Sequence, residues 1–462
     1  MPLANLPAFD GSLLTDDSTR REFSVDLCRN VERLPLAVLK PGSASDVVKT
    51  IRHANEAGLK VAVRGQGHSR WGQTLAQDGI VIDSSTLNAV SVSGAGVAEA
   101  QTGAYWQDVV QPSMQRGLVP PTLGTCLKLS VGGVLNVGGY SNSSHLHGGI
   151  VDNALELEVV SGDGRLLDCS PRRNPELFEM TLAGMGNIAM MIRAKVRLMP
   201  APEHVVRQDL FYDDLAAFLR DAGHLVRSDL FDHLNSRATK HVNGPNAGRW
   251  VYSLNIGRFY HRGTEPEWTI LPEALARQEG LAFSFRSEPQ LASFADYLQR
   301  EVGKNSADLI SRRANPRREP SITMIFPASA TQEFMESLAA RPDDLGGLSD
   351  FQFNAYNVRA HRRPLYKFPD EPCEDVAFAF WLYPRNVPLD DAAGLERALE
   401  IKQRMLDRRR AVGGKAYPPY APYTTLTEWK EHYGPAVWAR LQAAKREYDP
   451  RNVLSPSLGM SA

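Results

Sequence analysis

The stretch from Val61 to Gly72 reads V-A-V-R-G-Q-G-H-S-R-W-G. A short apolar alternation runs straight into glycines, so a strand hands over to a loop whose backbone can approach a partner more closely than a side chain would permit. Gly65 and Gly67 allow several backbone N–H groups to converge on an anion, and His68 follows at once as a nucleophile or ligand. Taken alone, the same residues also read as a tight turn carrying a polar histidine.

A second stretch is equally restrictive. Leu123 to Gly139, L-G-T-C-L-K-L-S-V-G-G-V-L-N-V-G-G, places five glycines in seventeen residues among valines and leucines. Each interior helical glycine costs about 1 kcal/mol relative to alanine, so a regular helix is not expected here. Flexible linkers are Gly/Ser-rich rather than apolar, which leaves two readings: a buried loop wrapped on an extended ligand, or glycines used for tight helix–strand packing.

Around these loops the order is α/β at first. Ser43 to Gly58 sets Val47, Val48, Ile51 and Ala54 on one helical face and stops at Gly58, before the strand Lys60 to Val63. Strands are expected at 79–83, 98–103, 154–160, 165–168 and 191–199, with a helix opening at Ala104 and ending before Gly117 and a short one at 176–182. Near Pro202 the glycine-rich text gives way to longer segments: strands at 250–256, 321–325 and 377–383, and helices at 215–225, 290–302, 330–341 and 391–407. That mixture predicts an α+β domain with one antiparallel sheet, followed by a C-terminal helix from Pro435 that ends at Asp449-Pro450.

At 462 residues the chain suits about two domains. Lys plus Arg number 52 against 53 Asp plus Glu, a balance that argues against nucleic acid or an anionic membrane and for a small-molecule partner. Cys28, Cys126, Cys169 and Cys373 are far apart and form no C-x-x-C pair. Arg20-Arg21 lacks the apolar stretch of an export signal, and no window reaches about 18 consecutive apolar residues. The chain is expected to be cytoplasmic, with a secreted form that has lost its signal as the alternative. His145 and His147 have no partner at a recognisable ligand spacing, so no metal is expected. The sequence does not bear on oligomeric state.

Three glycine motifs in fixed order, R-G-Q-G-H-S at 64–69, V-G-G-V-L-N-V-G-G-Y at 131–140 and L-A-G-M-G-N at 182–187, resemble the FAD-binding domain of the vanillyl-alcohol-oxidase superfamily, of PCMH type. Tyr423-Thr424-Thr425, Glu428-Trp429, His432-Tyr433-Gly434 and Tyr448 to Leu454 are similar to cytokinin dehydrogenases in particular. The resemblance implies an FAD-binding domain built from residues 1–201 and 436–462, with a substrate domain over 202–435 whose antiparallel sheet is flanked by helices. It implies that Arg64, Gly65, Gln66, Gly67, His68, Ser69, Gly72 and Gln73 hold FAD, together with Thr125, Cys126, Ser130, Gly132, Gly133, Asn136, Gly138 and His147.

In relatives the G-H-S histidine is joined to the flavin 8α-methyl carbon, which implies that His68 is a covalent anchor. In berberine-bridge-type enzymes a cysteine five residues before the V-G-G triplet is joined to flavin C6, and Cys126 stands at that spacing from Val131. A small apolar filler is the other reading of Cys126.

Plant cytokinin dehydrogenases carry a proton-accepting aspartate six residues before that valine, where this chain has Thr125. Threonine cannot act as a base near neutral pH. The family's C-terminal P-G-Q is altered to Pro456-Ser457-Leu458, and Ala189-Met190-Met191 also departs from its pattern.

The implied reaction is hydride transfer from a C–H of a small alcohol, amine or natural product to FAD, with O2 or another acceptor reoxidising the flavin. Tyr417, Tyr420 and Tyr423 of Y-P-P-Y-A-P-Y are the candidate bases, with an aromatic–proline packing corner as the alternative. Two rival functions remain: cytokinin dehydrogenase-like amine oxidation using another base, and a non-redox enzyme or flavin-binding protein on the same fold.

Overall fold

The computed structural model describes residues 3–460 except 4–5, 7, 242–247, 267–270, 272, 300–315, 346–347, 371–373, 383–386, 421–424 and 457. Three sheets organise it. In the first, Ala37–Lys40, Ile80–Asp83 and Val61–Arg64 run parallel, with Ser12–Leu14 antiparallel at the edge. The connection between two of these strands is the helix Ala44–Ala57, whose buried Val47, Ile51 and Ala54 cover the sheet and whose C-cap, Gly58, takes a φ of 69°. Two parallel strands joined in sequence require such a crossover, here past the intervening Ile80–Asp83, and the amphipathic spacing of this segment supplies it.

The second sheet is antiparallel, in the order Val90–Ser93, Val97–Gln101, Ala189–Arg197, Ala154–Ser161 and Leu166–Cys169. The third has nine strands, all paired antiparallel. Within it Val376–Leu382, paired on both sides, is buried at every position, as its unbroken V-A-F-A-F-W-L text demands of a strand covered on both faces. Helices Leu215–Leu225 and Ala328–Ala340 pack on one face, where Phe218, Phe326, Phe334, Phe353 and Phe380 interlock. The fold is α+β, with an antiparallel sheet flanked by helices.

The chain's last segment returns to the first sheet. Val61 N–H donates to Val453 O at 2.9 Å, and Ser455 N–H donates to Val61 O at 3.0 Å. Asp449 fixes that return by accepting from Val453 N–H at 2.8 Å, Leu454 N–H at 3.0 Å and Lys445 Nζ at 2.6 Å.

Several expectations need correction. The glycine run does form a helix, Val131–Leu135, capped by Ser130. Gly132 is required there because a Cβ would lie 2.5 Å from that of Thr102, so helix–strand packing explains this glycine. The helix expected from Gln290 is a strand, Gln290–Ser293, paired with His204–Arg207, and then a single helical turn, Phe294–Tyr297. The C-terminal helix begins earlier, at Leu426, and runs to Tyr448 with a break at Gly434, whose φ is 74°. Three long strands of the large sheet, His204–Tyr212, His233–Lys240 and Asp350–Asn357, and the two-residue strands Phe285–Arg286 and Lys415–Ala416 were not anticipated either.

Candidate active site

A cavity of about 550 Å³ lies between the two antiparallel sheets and the first glycine loop. From that loop Gly65, Gln66, His68, Ser69 and Gln73 reach its wall, as do Thr125, Cys126, Ser130, Gly132, Gly133 and Asn136 from the second glycine segment. Gly65 is there because a side chain would run into Ser130 Oγ, so the two loops meet at a point where only glycine fits.

Other expected residues lie behind the wall. Arg64 stacks on Phe23 at 5.0 Å and donates to Val25 O at 2.9 Å, and Gly67, at a φ of 66°, lies against the Arg64 side chain. Gly72 donates its N–H to Asp26, which also accepts from the Cys28 and Asn30 N–H groups. Burial pushes the Asp26 carboxyl up to about 7, against the pull of those donors and of Arg64. Gly138, at a φ of 103°, faces the Tyr366 ring instead of the cavity. His147 ends the short helix Ser144–His147 away from the wall, beside Asp232 and Arg197, with burial holding its pKa down. Among the described residues no cluster of three or more His, Cys, Asp or Glu could hold a metal.

Tyr417 and Tyr420 are on the wall, whereas Tyr423 lies outside the described residues. The segment bearing the two tyrosines is sewn to the first loop. Trp71 Nε1 donates to Tyr420 O at 2.8 Å, and Gln73 Nε2 donates to Pro419 O at 3.2 Å. Arg70 places its guanidinium 4.6 Å above the Tyr420 ring while pairing with buried Glu319 at 3.1 Å and Ser321 Oγ at 2.8 Å.

The large sheet closes the opposite side. Asp350, Gln352, Asn354 and Tyr356 alternate along one strand and all reach the cavity. Asp350 pairs with Arg237 on the neighbouring strand, and both are about half exposed. Deeper in, Asn354 Oδ1 accepts the Ser236 N–H at 2.6 Å, and burial weakens Tyr356 as an acid against the pull of the Asn354 amide. Tyr140 is the hub of the floor, with Tyr417, Tyr356 and Trp381 at ring-centre distances of 4.9, 5.0 and 5.3 Å. Sequence reading quoted Tyr140 as the end of a glycine motif without giving it a place in the site, and did not single out Arg70, Trp106, Trp381 or the 350–356 ladder; period-two alternation was the signal available for the ladder.

The wall's unsatisfied atoms test whether FAD fits. Trp106 Nε1 and Asn136 Oδ1 are buried, lie on wall residues within the segment 1–201 that the resemblance assigns to the cofactor, and have no partner among the described residues. A buried N–H donor and a buried carbonyl acceptor each cost free energy unless a ligand meets them. A cofactor edge that both donates and accepts supplies what they lack, and the glycine walls leave room for it.

Comparison with known proteins agrees. An FAD-binding domain family model matches residues 35–170, and the model described as "Cytokinin dehydrogenase 1, FAD and cytokinin binding" matches residues 224–460. An uncharacterised oxidoreductase, ORF5 of the fasciation locus of Rhodococcoides fascians, is 29% identical over 449 residues, covering 97% of this chain and 98% of its own. Cytokinin dehydrogenase 4 of Arabidopsis thaliana is 29% identical over 491 residues, covering 96% and 91%. In fold, the crystal structure of 6-hydroxy-D-nicotine oxidase from Arthrobacter nicotinovorans superposes with a TM-score of 0.69 at 20% identity, over 98% of both chains. With the second model spanning just over half of the chain, the protein belongs to the cytokinin dehydrogenase FAD- and cytokinin-binding family and is an FAD-dependent oxidoreductase.

Proposed function

We propose that the protein oxidises a small planar amine at the C–H beside nitrogen, with FAD anchored covalently through His68 and, as a second bond, through Cys126. The observation carrying this reading is that one cavity has His68 and Cys126 on its flavin-side wall and Tyr140, Tyr356, Trp381 and Tyr417 on its other surfaces. Bound FAD would supply the two-electron chemistry, taking a hydride from the substrate carbon and returning electrons to O2 or another acceptor.

The chain's own residues have three tasks in this scheme. Residues 1–201 and 436–462 hold the cofactor while 202–435 cover it, the flavin-side contacts coming from Gly65, Gln66, Ser69, Ser130, Asn136 and Trp106. Trp381 and the tyrosines offer flat apolar faces that orient a planar substrate and exclude water. The substrate proton must go to a group other than Thr125, whose hydroxyl is not a base near neutral pH. Tyr417 and Tyr420 reach the cavity with hydroxyls able to accept from and donate to the substrate.

A second reading narrows the substrate to cytokinins, favoured by the family match over 224–460 and opposed by threonine at position 125. Acid precipitation of the purified protein tests the anchors: yellow colour stays with the pellet if FAD is covalent and moves to the supernatant if it is not. His68→Ala and Cys126→Ala separate the bonds, since an unchanged flavin spectrum in Cys126→Ala removes the second one. Anaerobic bleaching by isopentenyladenine distinguishes the cytokinin reading from oxidation of other amines.

A further inference from the structure

Three of the protein's buried polar atoms without partners among the described residues belong to adjoining side chains: Tyr140 Oη, Tyr366 Oη and His361 Nε2. The Tyr140 and Tyr366 ring centres are 5.1 Å apart, and those of Tyr366 and His361 are 5.5 Å apart. Burial makes each phenol a weaker acid, and the two hydroxyls lie close enough for Tyr366 to act on Tyr140 as a hydrogen-bonding neighbour, although their present geometry falls short of a formed bond. Tyr140 is on the cavity wall and His361 lies behind it.

Local geometry fixes both ends of this row. Tyr366 is seated between Gly138, at a φ of 103°, and Gly149, where a Cβ would lie 2.6 Å from the ring. His361 Nδ1 is 3.0 Å from Asn357 O. A carbonyl oxygen can only accept, so Nδ1 carries the proton and Nε2 presents a bare lone pair. Burial holds the His361 pKa below its ordinary value, outweighing the Asp152 carboxylate that favours the cation, so at neutral pH the ring is neutral and free to accept. Around His361 the titratable or charged groups are Asp152, Tyr356, Tyr366 and the adjacent Arg362 and Arg363; Asp152 is itself held by the Arg362 N–H at 3.0 Å. Buried polar atoms left open in this way are the usual lodging of an ordered water.

We propose that Tyr140, Tyr366 and His361, with one buried water bridging Tyr366 Oη and His361 Nε2, form a proton-accepting line that drains the cavity. This rests on the amine-oxidation reading. The substrate N–H bond breaks, its electron pair stays on nitrogen, and the proton joins the Tyr140 oxygen as the Tyr140 hydroxyl, turned onto Tyr366 Oη, gives its own proton to Tyr366. Tyr366 passes its proton to the water, and the water passes one to Nε2. Tyr140, Tyr366 and the water end neutral, and His361 ends as an imidazolium facing Asp152. The line supplies the proton acceptor that threonine at position 125 cannot be.

Two experiments test it. A high-resolution crystal structure of the FAD-loaded protein should show an ordered water within about 3.2 Å of both Tyr366 Oη and His361 Nε2; a dry gap there overturns the line whatever the substrate is. Stopped-flow anaerobic reduction, using an amine that bleaches the wild-type flavin, should be at least tenfold slower in Tyr366→Phe and His361→Gln at pH 7. The rate should recover as rising pH deprotonates the amine without help. Tyr366→Phe keeps the ring between the two glycines, so a normal flavin spectrum with slowed reduction is expected. Rates and pH profiles within twofold of wild type overturn the proposal. Failure of every amine to bleach the wild-type flavin counts against the amine-oxidation reading, and the water site is then judged by the crystal structure alone.

Discussion

Gly65 and Ser130 meet so closely that even a methyl group on Gly65 would overlap the serine hydroxyl. Both residues line the cavity, so the strain of Gly65→Ala cannot relax without moving the cavity wall. We expect the variant to lose about 1–3 kcal/mol of stability, in the range of overpacking, and most of its FAD content. Denaturant midpoints and flavin absorbance per polypeptide measure the two effects; wild-type flavin loading would show that the loops do not meet at the cofactor. At this scale the sequence was legible in an uneven way. Glycines announced close approach, but not of what: Gly65 serves the cavity, Gly67 the Arg64 side chain, Gly72 the Val31 side chain and Gly138 the Tyr366 ring. Only three-dimensional neighbours separate those roles, because each glycine meets residues remote in the chain or hidden behind the loop.

At the level of elements, the helix Ala392–Ala411 carries a lysine in an unusual position. Lys402 is buried, and its ammonium sits 3.1 Å from the centre of the Trp71 ring, in the loop that bears His68. Desolvation lowers its pKa from 10.5 to about 7. A base whose pKa falls on folding binds fewer protons folded than unfolded between those two values, so its contribution to stability rises with pH across that window and is least favourable below about 7. Lys402→Met removes this dependence and also the ring contact, which offsets part of the gain. The variant should therefore be more stable than wild type at pH 6, on the order of 2 kcal/mol, with the difference shrinking toward pH 9. Urea midpoints at both values read it; a constant difference would mean that the amine stays charged throughout.

Asp350 to Asn357 turns Gln352, Asn354 and Tyr356 toward the cavity and packs Phe353 among the helices, so its polar face is a ligand surface in place of a solvent-facing one. Asn and Asp discourage a strand assignment on propensity alone, and tertiary packing overrides them. Helix Leu215–Leu225, with Phe218, Ala222 and Leu225 on its buried face and Asp214 as its cap, was readable to its ends.

Over the whole molecule the cavity joins parts of the chain that are far apart in sequence, and the C-terminal return is one of its supports. Lys445 and Asp449 form a fully enclosed pair at 2.6 Å, and Asp449 also holds the backbone that leads to Ser455 on the cavity wall. Lys445 Nζ donates to Asn187 O at 2.7 Å as well, tying the same pair to the third glycine motif. Asp449→Ala would leave a buried ammonium and two buried N–H groups without their carboxylate, a loss of about 3–5 kcal/mol. Because burial already lowers the Lys445 pKa, removing its carboxylate should lower it further, and the variant should recover part of its stability as pH rises. Asp449→Asn keeps the shape and one acceptor, so it should fall between the two. If the return segment supports the cavity, flavin content falls in the same order, wild type, Asn, Ala, with thermal midpoints following. Full flavin loading in a destabilised Asp449→Ala would instead make the C-terminal return a stabiliser of the first sheet alone.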